Sequence, residues 1–373
     1  MNLNDRKQFA EQLIQRRVES VYPSREAVIE RIAGSERLTI YLGIDPTSPD
    51  IHLGHAVPLF VMRGLAELGH DVVLLIGDFT ARIGDPTGKS STRVALTAEQ
   101  IQENMAAYVE QVEHIIPKEL FRVVYNSEWL ASLTMEQVLR LTSTVTVQQM
   151  IQRDMFQGRL KEEKPIFLSE FLYPLMQGYD SVALRTDGEV GGNDQTFNML
   201  MGRELSRELL GKDKLVITTK LLVDAGSGKK MSKSEGTLIA IRDSVQEIRR
   251  KVLAADDGMI APMFELCTEK EVPSEGSPRE LKEALAAEFI RMFHGEQAIQ
   301  QAGEFEEFDG AAMPLDAFLV SVLSGSSLSM IARQIEQGGV KLNEQVLTLS
   351  ERKKILQSGD KIQFGKGRFI RVR

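Results

Sequence analysis

A chain of 373 residues with 42% hydrophobic and 26% charged residues has the make-up of an ordinary globular protein, with room for two or three domains. Its net charge of −8 argues against a general polyanion binder, and its single cysteine, Cys267, excludes an internal disulfide and fits a reducing compartment. The opening Met-Asn-Leu-Asn-Asp-Arg-Lys lacks the apolar core of a signal peptide, and no apolar run approaches the roughly 20 residues needed to cross a bilayer. The expectation is a soluble, cytoplasmic protein without membrane contact.

Leu38-Thr-Ile-Tyr-Leu-Gly-Ile44 is apolar and β-branched, which predicts a buried strand. Apolar residues then recur at helical spacing over residues 52–68 (Val57, Phe60, Val61, Leu65, Leu68) and stop at Gly69. Asp71-Val-Val-Leu-Leu-Ile-Gly77 is a second strand, its apolar run suited to a parallel sheet covered on both faces. Thr97-Ala-Glu-Gln100 is a capping-box signature opening a helix to about Ile115. Phe121-Arg-Val-Val-Tyr-Asn126 is a third strand. The alternation predicts an α/β fold, a Rossmann-like doubly wound parallel sheet within residues 1–235.

Residues of about 129–180 read as a mostly helical insertion. Ser181-Val-Ala-Leu-Arg-Thr186 is expected as a short strand, ahead of Gly191-Gly-Asn-Asp-Gln195 and a helix over about 195–210. Helical spacing resumes at 244–255 and at about 278–293, predicting a helical domain over 236–312. The acidic Glu304-Phe-Glu-Glu-Phe-Asp-Gly310 is expected at the end of that helical part. Residues 313–373 are expected to form a small α+β domain, with strand-like Val346-Leu-Thr-Leu349 and Phe369-Ile-Arg-Val372. Over residues 314–373 ten basic residues stand against five acidic ones, leaving +5 on the tail of an acidic protein. Such asymmetry points to local nucleic-acid contact or to a solvated surface.

Gly84-Asp-Pro-Thr-Gly-Lys-Ser90 resembles a Walker A loop, but three residues separate Gly84 from Gly88 where four are needed. The P-loop reading is rejected, and what remains is a turn-rich loop after a strand, a common ligand site in an open α/β sheet. His52 and His55 share one face of a helix start. They could be a zinc pair, although no glutamate adjoins them and His70, His114 and His294 show no ligand spacing. They could be helix caps without function. They could also donate to a phosphate at the helix N-terminus, where free N–H groups favour anions. Gly54 between them would let a flat ring such as adenine approach the backbone. Downstream, Lys230-Met-Ser-Lys-Ser234 follows Gly226-Ser-Gly-Lys-Lys230. A basic loop of this kind can close over a triphosphate and then release it; alone, it is as readily a solvated surface.

Taken together, His52-Leu-Gly-His55 and Lys230-Met-Ser-Lys-Ser234 make the chain resemble the class I aminoacyl-tRNA synthetases. Four further motifs are similar, in order, to those of the tyrosyl family in its bacterial form: Tyr41-x-Gly-x-Asp45-Pro-Thr47, Gly84-Asp85-Pro-Thr-Gly-Lys89, Tyr173-x-x-x-Gln177-x-x-Asp180 and Gly191-Gly192-Asn-Asp194-Gln195. The resemblance covers essentially the whole chain, most specifically residues 41–234. It implies activation of L-tyrosine by ATP with release of pyrophosphate, then transfer to the 3′ end of tRNA(Tyr). Tyr41 and Asp180 would bind the phenol hydroxyl of the substrate. Tyr173, Gln177 and Asp85 would hold its α-amino group, with Gln195 near the carboxyl end and Asp45 near the amino acid and adenylate. Gly43 and Gly54 would line the ATP site, Thr47, His52 and His55 would bind the phosphates, and Gly192 and Asp194 would contact the ribose. Lys89, Arg93, Lys230 and Lys233 would stabilise the departing pyrophosphate. ATP is then a substrate, accompanied by Mg2+, with no resident cofactor and no metal site of the protein's own.

Residues 328–343 resemble an S4-type RNA-binding domain, with two departures: Arg333 is the only base on the helix, and Asn343 is followed by Glu344 instead of glycine. The resemblance also implies an anticodon-binding role for the helical domain, a dimer-forming role for the 129–180 insertion, and a homodimer. Three alternatives remain open at this point. A tryptophanyl enzyme shares the fold but has no use for a Tyr41–Asp180 pair reading a hydroxyl. A small-molecule nucleotidyltransferase also places a histidine motif at a helix start. A non-catalytic RNA-binding relative would keep the fold alone.

Overall fold

The computed structural model describes residues 1–85, 97–224, 238–301, 306–323, 326–365 and 368–373. They fall into two compact units, residues 1–223 with 265–269, and residues 224–264 with 270–373.

The first unit opens with α1 (Leu3–Arg17), β1 (Val18–Tyr22) and α2 (Arg25–Ala33), followed by β2 (Thr39–Ile44), α3 (Leu53–Glu67) and β3 (Asp71–Ile76). Then come α4 (Ala98–Glu113), β4 (Phe121–Tyr125) and the helices α5 (Ser127–Leu130), α6 (Met135–Thr142), α7 (Val147–Ile151), α8 (Asp154–Lys161) and α9 (Leu168–Leu184). The unit continues through β5 (Gly188–Gly192), α10 (Thr196–Leu210) and β6 (Leu215–Thr219). Local chemistry sets many of these boundaries. Thr97 caps α4 as its motif predicts, accepting from the Gln100 N–H, and α10 ends where Gly211 turns left-handed at φ 63°.

The six strands run in the order β1-β6-β5-β2-β3-β4. Strands β2 to β6 run parallel to one another, and the edge strand β1 is antiparallel to β6. The chain lays down β2, β3 and β4 to one side and then β5 and β6 to the other. The junction of β2 and β5 is therefore a switch point, where the carboxyl ends of an open sheet leave a crevice. Ile40, Tyr41, Leu42 and every residue from Val72 to Ile76 are buried, so alternate side chains are covered on both faces. Tyr41, Val73 and Leu75 form one face with Trp129 of α5 and Leu184 of α9.

One expected strand is a helix. Ser181 to Leu184 continue α9, which ends at Arg185 in the left-handed region at φ 51°. A short apolar run does not by itself distinguish strand from helix; here packing against α10 decides. A Cβ on Gly178 would lie 2.9 Å from Leu205 and 3.2 Å from the Gly202 nitrogen, so the two helices meet at their glycines. The strand is instead β5, Gly-Glu-Val-Gly-Gly, whose glycines hide the usual β signature. Strand β6 has all five residues buried and completes the sheet. Residues 265–269 join this unit because Arg17, buried on α1, donates to the carbonyls of Leu266 and Thr268 and pairs with Glu269.

The second unit contains α11 (Val245–Ala254), most of α12 (Ile260–Cys267), α13 (Pro278–His294) and α14 (Glu296–Gln301). It continues with β7 (Glu306–Phe308), α15 (Leu315–Val322), α16 (Leu328–Glu336), β8 (Val340–Leu342), β9 (Gln345–Val346), β10 (Lys361–Phe364) and β11 (Arg368–Val372). A five-stranded sheet runs β7-β11-β10-β8-β9 around a core that includes Leu315, Phe318, Ile331, Ile335, Val340 and Ile362. The acidic stretch read as the end of the helical part is β7 of this sheet, parallel to β11. Charge explains the pairing: Glu307 accepts from Arg373 at 2.9 Å and Arg371 at 3.5 Å. The strand-like piece at 346–349 is shorter than expected, because β9 stops at Val346 and Leu349–Glu351 is a 3-10 turn.

Candidate active site

The candidate residues among those described lie in β2 and β5, in the segments that follow β2, β3 and β5, and on α3 and α9. His52 is the N-cap of α3 and His55 stands at its third position. The Nδ1 of His52 accepts from the Gly54 N–H at 3.1 Å, and the Nδ1 of His55 accepts from the His52 N–H at 3.5 Å. The rings stack with centroids 3.8 Å apart. Desolvation pushes His52 down to about 4 and His55, which also feels His52, down to about 3. Both imidazoles are therefore neutral near pH 7, with Nδ1 used as an acceptor and the proton left on Nε2. The pair presents two N–H donors at a helix N-terminus without carrying charge. Gly54 has an internal reason as well: a Cβ there would lie 3.0 Å from the His52 ring. Cys267 is buried beneath the same turn, its thiol donating to the Leu53 carbonyl at 3.7 Å, and burial pushes it up to about 12. Among the described residues no three His, Cys, Asp or Glu side chains gather as a metal would require.

Behind β2 lies a buried polar pocket. Tyr41 is fully buried, with Oη 2.9 Å from Ser181 Oγ. Asp180, on α9, accepts from Trp129 Nε1 at 2.7 Å and Asn126 Nδ2 at 3.3 Å. Burial drives its carboxyl well above the usual range, and these two N–H donors oppose that. Tyr41 and Asp180 are not directly bonded, but burial, Glu189 and Asp180 all raise the Tyr41 hydroxyl, which stays protonated. Tyr173 Oη donates to Asp45 Oδ2 at 2.8 Å, and Thr80 Oγ1 donates to Asp45 Oδ1 at 2.7 Å. Gly77 leaves room for that carboxylate, since a Cβ there would lie 2.0 Å from Asp45 Oδ1.

Gln177 Nε2 donates to Glu189 at 3.3 Å, while its Oε1 is buried with no hydrogen-bond partner. Such an atom is costly unless something later donates to it. Gln195 Nε2 donates to Asp85 Oδ2 at 2.7 Å, and Gln195 Oε1 accepts from Asn198 at 2.9 Å. Around the rim, the Thr47 N–H donates to the Asp45 carbonyl at 2.7 Å. Asp194 is exposed, and a Cβ on Gly192 would lie 2.7 Å from its carboxylate. Gly43 is exposed, and a Cβ there would make only ordinary contacts of 3.8 and 3.9 Å, so the protein's own packing does not require glycine. Lys89, Arg93, Lys230 and Lys233 lie outside the described residues.

The sequence assigned no site role to Thr80, Asn126, Trp129, Ser181, Glu189 or Lys214. One signal was visible: Glu189 is the only charged residue in β5 and is buried. The others have partners too distant in sequence for any local pattern to mark them.

A family model described as tRNA synthetases class I (W and Y) matches residues 34–307, and one for the S4 domain matches residues 313–361. A tyrosine–tRNA ligase of Trichormus variabilis is 39% identical over 372 residues, covering 93% of each chain. A tyrosine–tRNA ligase 2 of Vibrio cholerae is 40% identical over 386 residues, covering 96% of this chain and 97% of its own. The structure of a tyrosyl-tRNA synthetase of Archaeoglobus fulgidus complexed with L-tyrosine aligns with a TM-score of 0.63 at 24% identity, covering 81% of this chain and all of that one, a likeness of fold.

Proposed function

The chain belongs to the class I tRNA synthetases of the tryptophanyl and tyrosyl family, and from that premise we propose that it is a tyrosine–tRNA ligase. It joins L-tyrosine to ATP, releases pyrophosphate, and passes the tyrosyl group to the 3′ end of tRNA(Tyr). The observation that carries the substrate choice is the buried Asp180 carboxyl group, held by Trp129 and Asn126, with the Tyr41 hydroxyl in the same buried polar cluster. Without a partner hydroxyl those groups would stay desolvated and underused. A tryptophan side chain offers no hydroxyl to them.

Tyrosine would enter with its phenol toward Tyr41 and Asp180 and its ammonium toward Tyr173, Gln177 and Asp85. Gln177 Oε1 is ready to accept, and Tyr173 Oη, having donated to Asp45, keeps lone pairs for the same purpose. Gln195, tied to Asp85, would lie toward the carboxylate. That carboxylate attacks the α-phosphorus of ATP in line; the P–O bond to pyrophosphate breaks as the acyl-phosphate bond forms. Catalysis of this kind is positioning and charge stabilisation. His52 and His55 would donate from Nε2 to the phosphates, with Thr47 beside them and Gly192 and Asp194 toward the ribose. Lys89, Arg93, Lys230 and Lys233 would take the charge of the leaving pyrophosphate. Mg2+ enters with ATP as part of the substrate. A terminal ribose hydroxyl of tRNA then attacks the tyrosyl carbonyl, and AMP leaves.

The proposal extends to a cytoplasmic homodimer that binds tRNA with its helical region over 236–312 and its S4 tail. Support for dimerisation comes from Met135, Leu139, Val147, Phe167 and Leu168, large apolar side chains 51–80% exposed and all within residues 129–180. No helix of the described residues is long and apolar enough to cross a membrane. ATP–pyrophosphate exchange with each amino acid in turn tests the substrate. Exchange is expected with L-tyrosine only; exchange with tryptophan instead, or with neither, overturns the reading.

A further inference from the structure

Lys214 stands one residue before β6 and is fully buried. A buried ammonium is costly unless it is paired and hydrogen-bonded, and a methionine of similar length would fill the space without that cost. Lys214 Nζ forms an ion pair with Glu189, itself 2% exposed, and donates to Ser181 Oγ at 2.7 Å. It also lies over the Tyr41 ring, 5.6 Å from the centroid. The site is shaped to hold it. A Cβ on Gly202 would lie 2.6 Å from Nζ and 2.7 Å from Ser181 Oγ.

The hydrogens in this cluster have few places to go. An ammonium has three donors and no lone pair, so Ser181 Oγ must accept from Lys214. Ser181 is fully buried, and among the described residues the other partner of its hydroxyl is Tyr41 Oη at 2.9 Å. Its hydrogen therefore goes to Tyr41. Tyr41 Oη, having accepted there, keeps its own hydrogen to donate. Glu189 could capture that hydrogen, since its charge reaches Tyr41. However, Glu189 already accepts from Lys214 on one oxygen and from Gln177 Nε2 on the other, which weakens it as a competitor for the Tyr41 hydrogen without filling its remaining lone pairs. The second contact has its own consequence. With its NH2 group turned to Glu189, Gln177 must aim Oε1 the other way, and that is the buried oxygen without a partner.

We propose that Lys214 is a positioning residue for amino-acid recognition: its ammonium sets the direction of the hydrogen bonds that run through Ser181 to Tyr41 and through Glu189 to Gln177. A phenol hydroxyl then meets one donor, Tyr41, and one acceptor, Asp180, while an ammonium meets the Gln177 oxygen. Lys214 touches no substrate atom and acts through its two partners. The inference rests on Tyr41 and Gln177 facing the substrate as proposed above.

Ser181→Ala tests the arm to Tyr41 without disturbing the ion pair. Lys214→Met/Glu189→Gln removes both members of the ion pair together, so neither is left buried without the other. ATP–pyrophosphate exchange is measured with L-tyrosine and L-phenylalanine, alongside thermal unfolding. Both variants are expected to fold and to lower the tyrosine-to-phenylalanine ratio of kcat/KM by about tenfold, the size of one lost buried hydrogen bond, with the KM for ATP held within about twofold. In a Tyr41→Phe background, Ser181→Ala should lower the ratio no further, because its effect passes through Tyr41. An unchanged ratio in Ser181→Ala, or a full additional loss in the Tyr41→Phe background, overturns the role of Lys214. Tyr41→Phe alone separates the two failures: if it leaves the ratio unchanged, the pocket assignment itself is wrong.

Discussion

Tyr173 on α9 donates a 2.8 Å hydrogen bond to Asp45 in the loop after β2, joining residues 128 positions apart in the chain. Thr80 holds the other oxygen of the same carboxylate at 2.7 Å. Burial and the charges of Asp45 and Asp85 hold the Tyr173 phenol well above its ordinary value, so it remains a donor to Asp45 across the physiological range.

Tyr173→Phe should therefore cost tyrosine affinity twice, by removing an acceptor for the ammonium and by freeing Asp45. One to two hydrogen bonds, at about 1–3 kcal/mol in all, correspond to roughly a 5- to 150-fold rise in the KM for tyrosine. The KM for ATP should change little. Pyrophosphate exchange with tyrosine and ATP varied separately measures both; a tyrosine KM that stays put places the ammonium elsewhere.

The histidine pair predicts an acid-side loss of stability. In the folded chain His52 and His55 resist protonation, being lowered by desolvation to about 4 and about 3 from an ordinary 6.5. The unfolded chain binds more protons in that interval, so unfolding free energy rises with pH across it and is lost as pH falls from about 6.5 toward 4. Denaturation midpoints at pH 7 and pH 5 should differ for the parent. They should differ less for His55→Asn, whose side-chain oxygen can replace Nδ1 as an acceptor. An equal drop in both proteins would assign the pH dependence to other groups.

Glu344 is one of the described residues of the second unit held in the left-handed region, as is Ala312 at φ 69°. The β8–β9 hairpin turns on Asn343 at φ 49° and Glu344 at φ 70°. Asn343 suits that region and is bonded to Asp360 and to the Lys361 N–H, whereas a glutamate gains nothing there. Glu344→Gly should stabilise the unit by about 1 kcal/mol, read as a higher unfolding midpoint. No change would mean that the turn relaxes without cost.

Leu139 and Leu168, 60% and 80% exposed, test the proposed dimer surface. Leu139→Glu/Leu168→Glu should shift the mass by light scattering from dimer toward monomer while circular dichroism stays the same. A dimer that persists at the same concentration puts the contact outside these helices.

Local pattern was enough for much of this protein. Strands β2, β3 and β4 and helices α3, α4, α10 and α13 are specified by periodicity and caps, because each makes its own backbone pattern from neighbours in sequence. The candidate motifs were legible for a related reason: the proposed site residues around His52, Tyr173 and Gly191 fall at short spacings and in order. What the sequence could not decide is how those side chains are held. Ser181 reads as part of a strand until Gly178 and Gly202 let α9 and α10 close together. β5 has no strand signature, because its glycines serve close packing rather than propensity. Asp180 is an isolated carboxylate on the page; only the fold brings in Trp129 and Asn126, 51 and 54 positions away. Lys214 resembles any lysine before a strand. Burial makes it matter, since an ammonium out of water must find partners, and those it finds, Glu189 and Ser181, lie 25 and 33 residues upstream. Hydrogen-bond direction in a buried site is a property of the whole cluster, and only tertiary structure assembles the cluster.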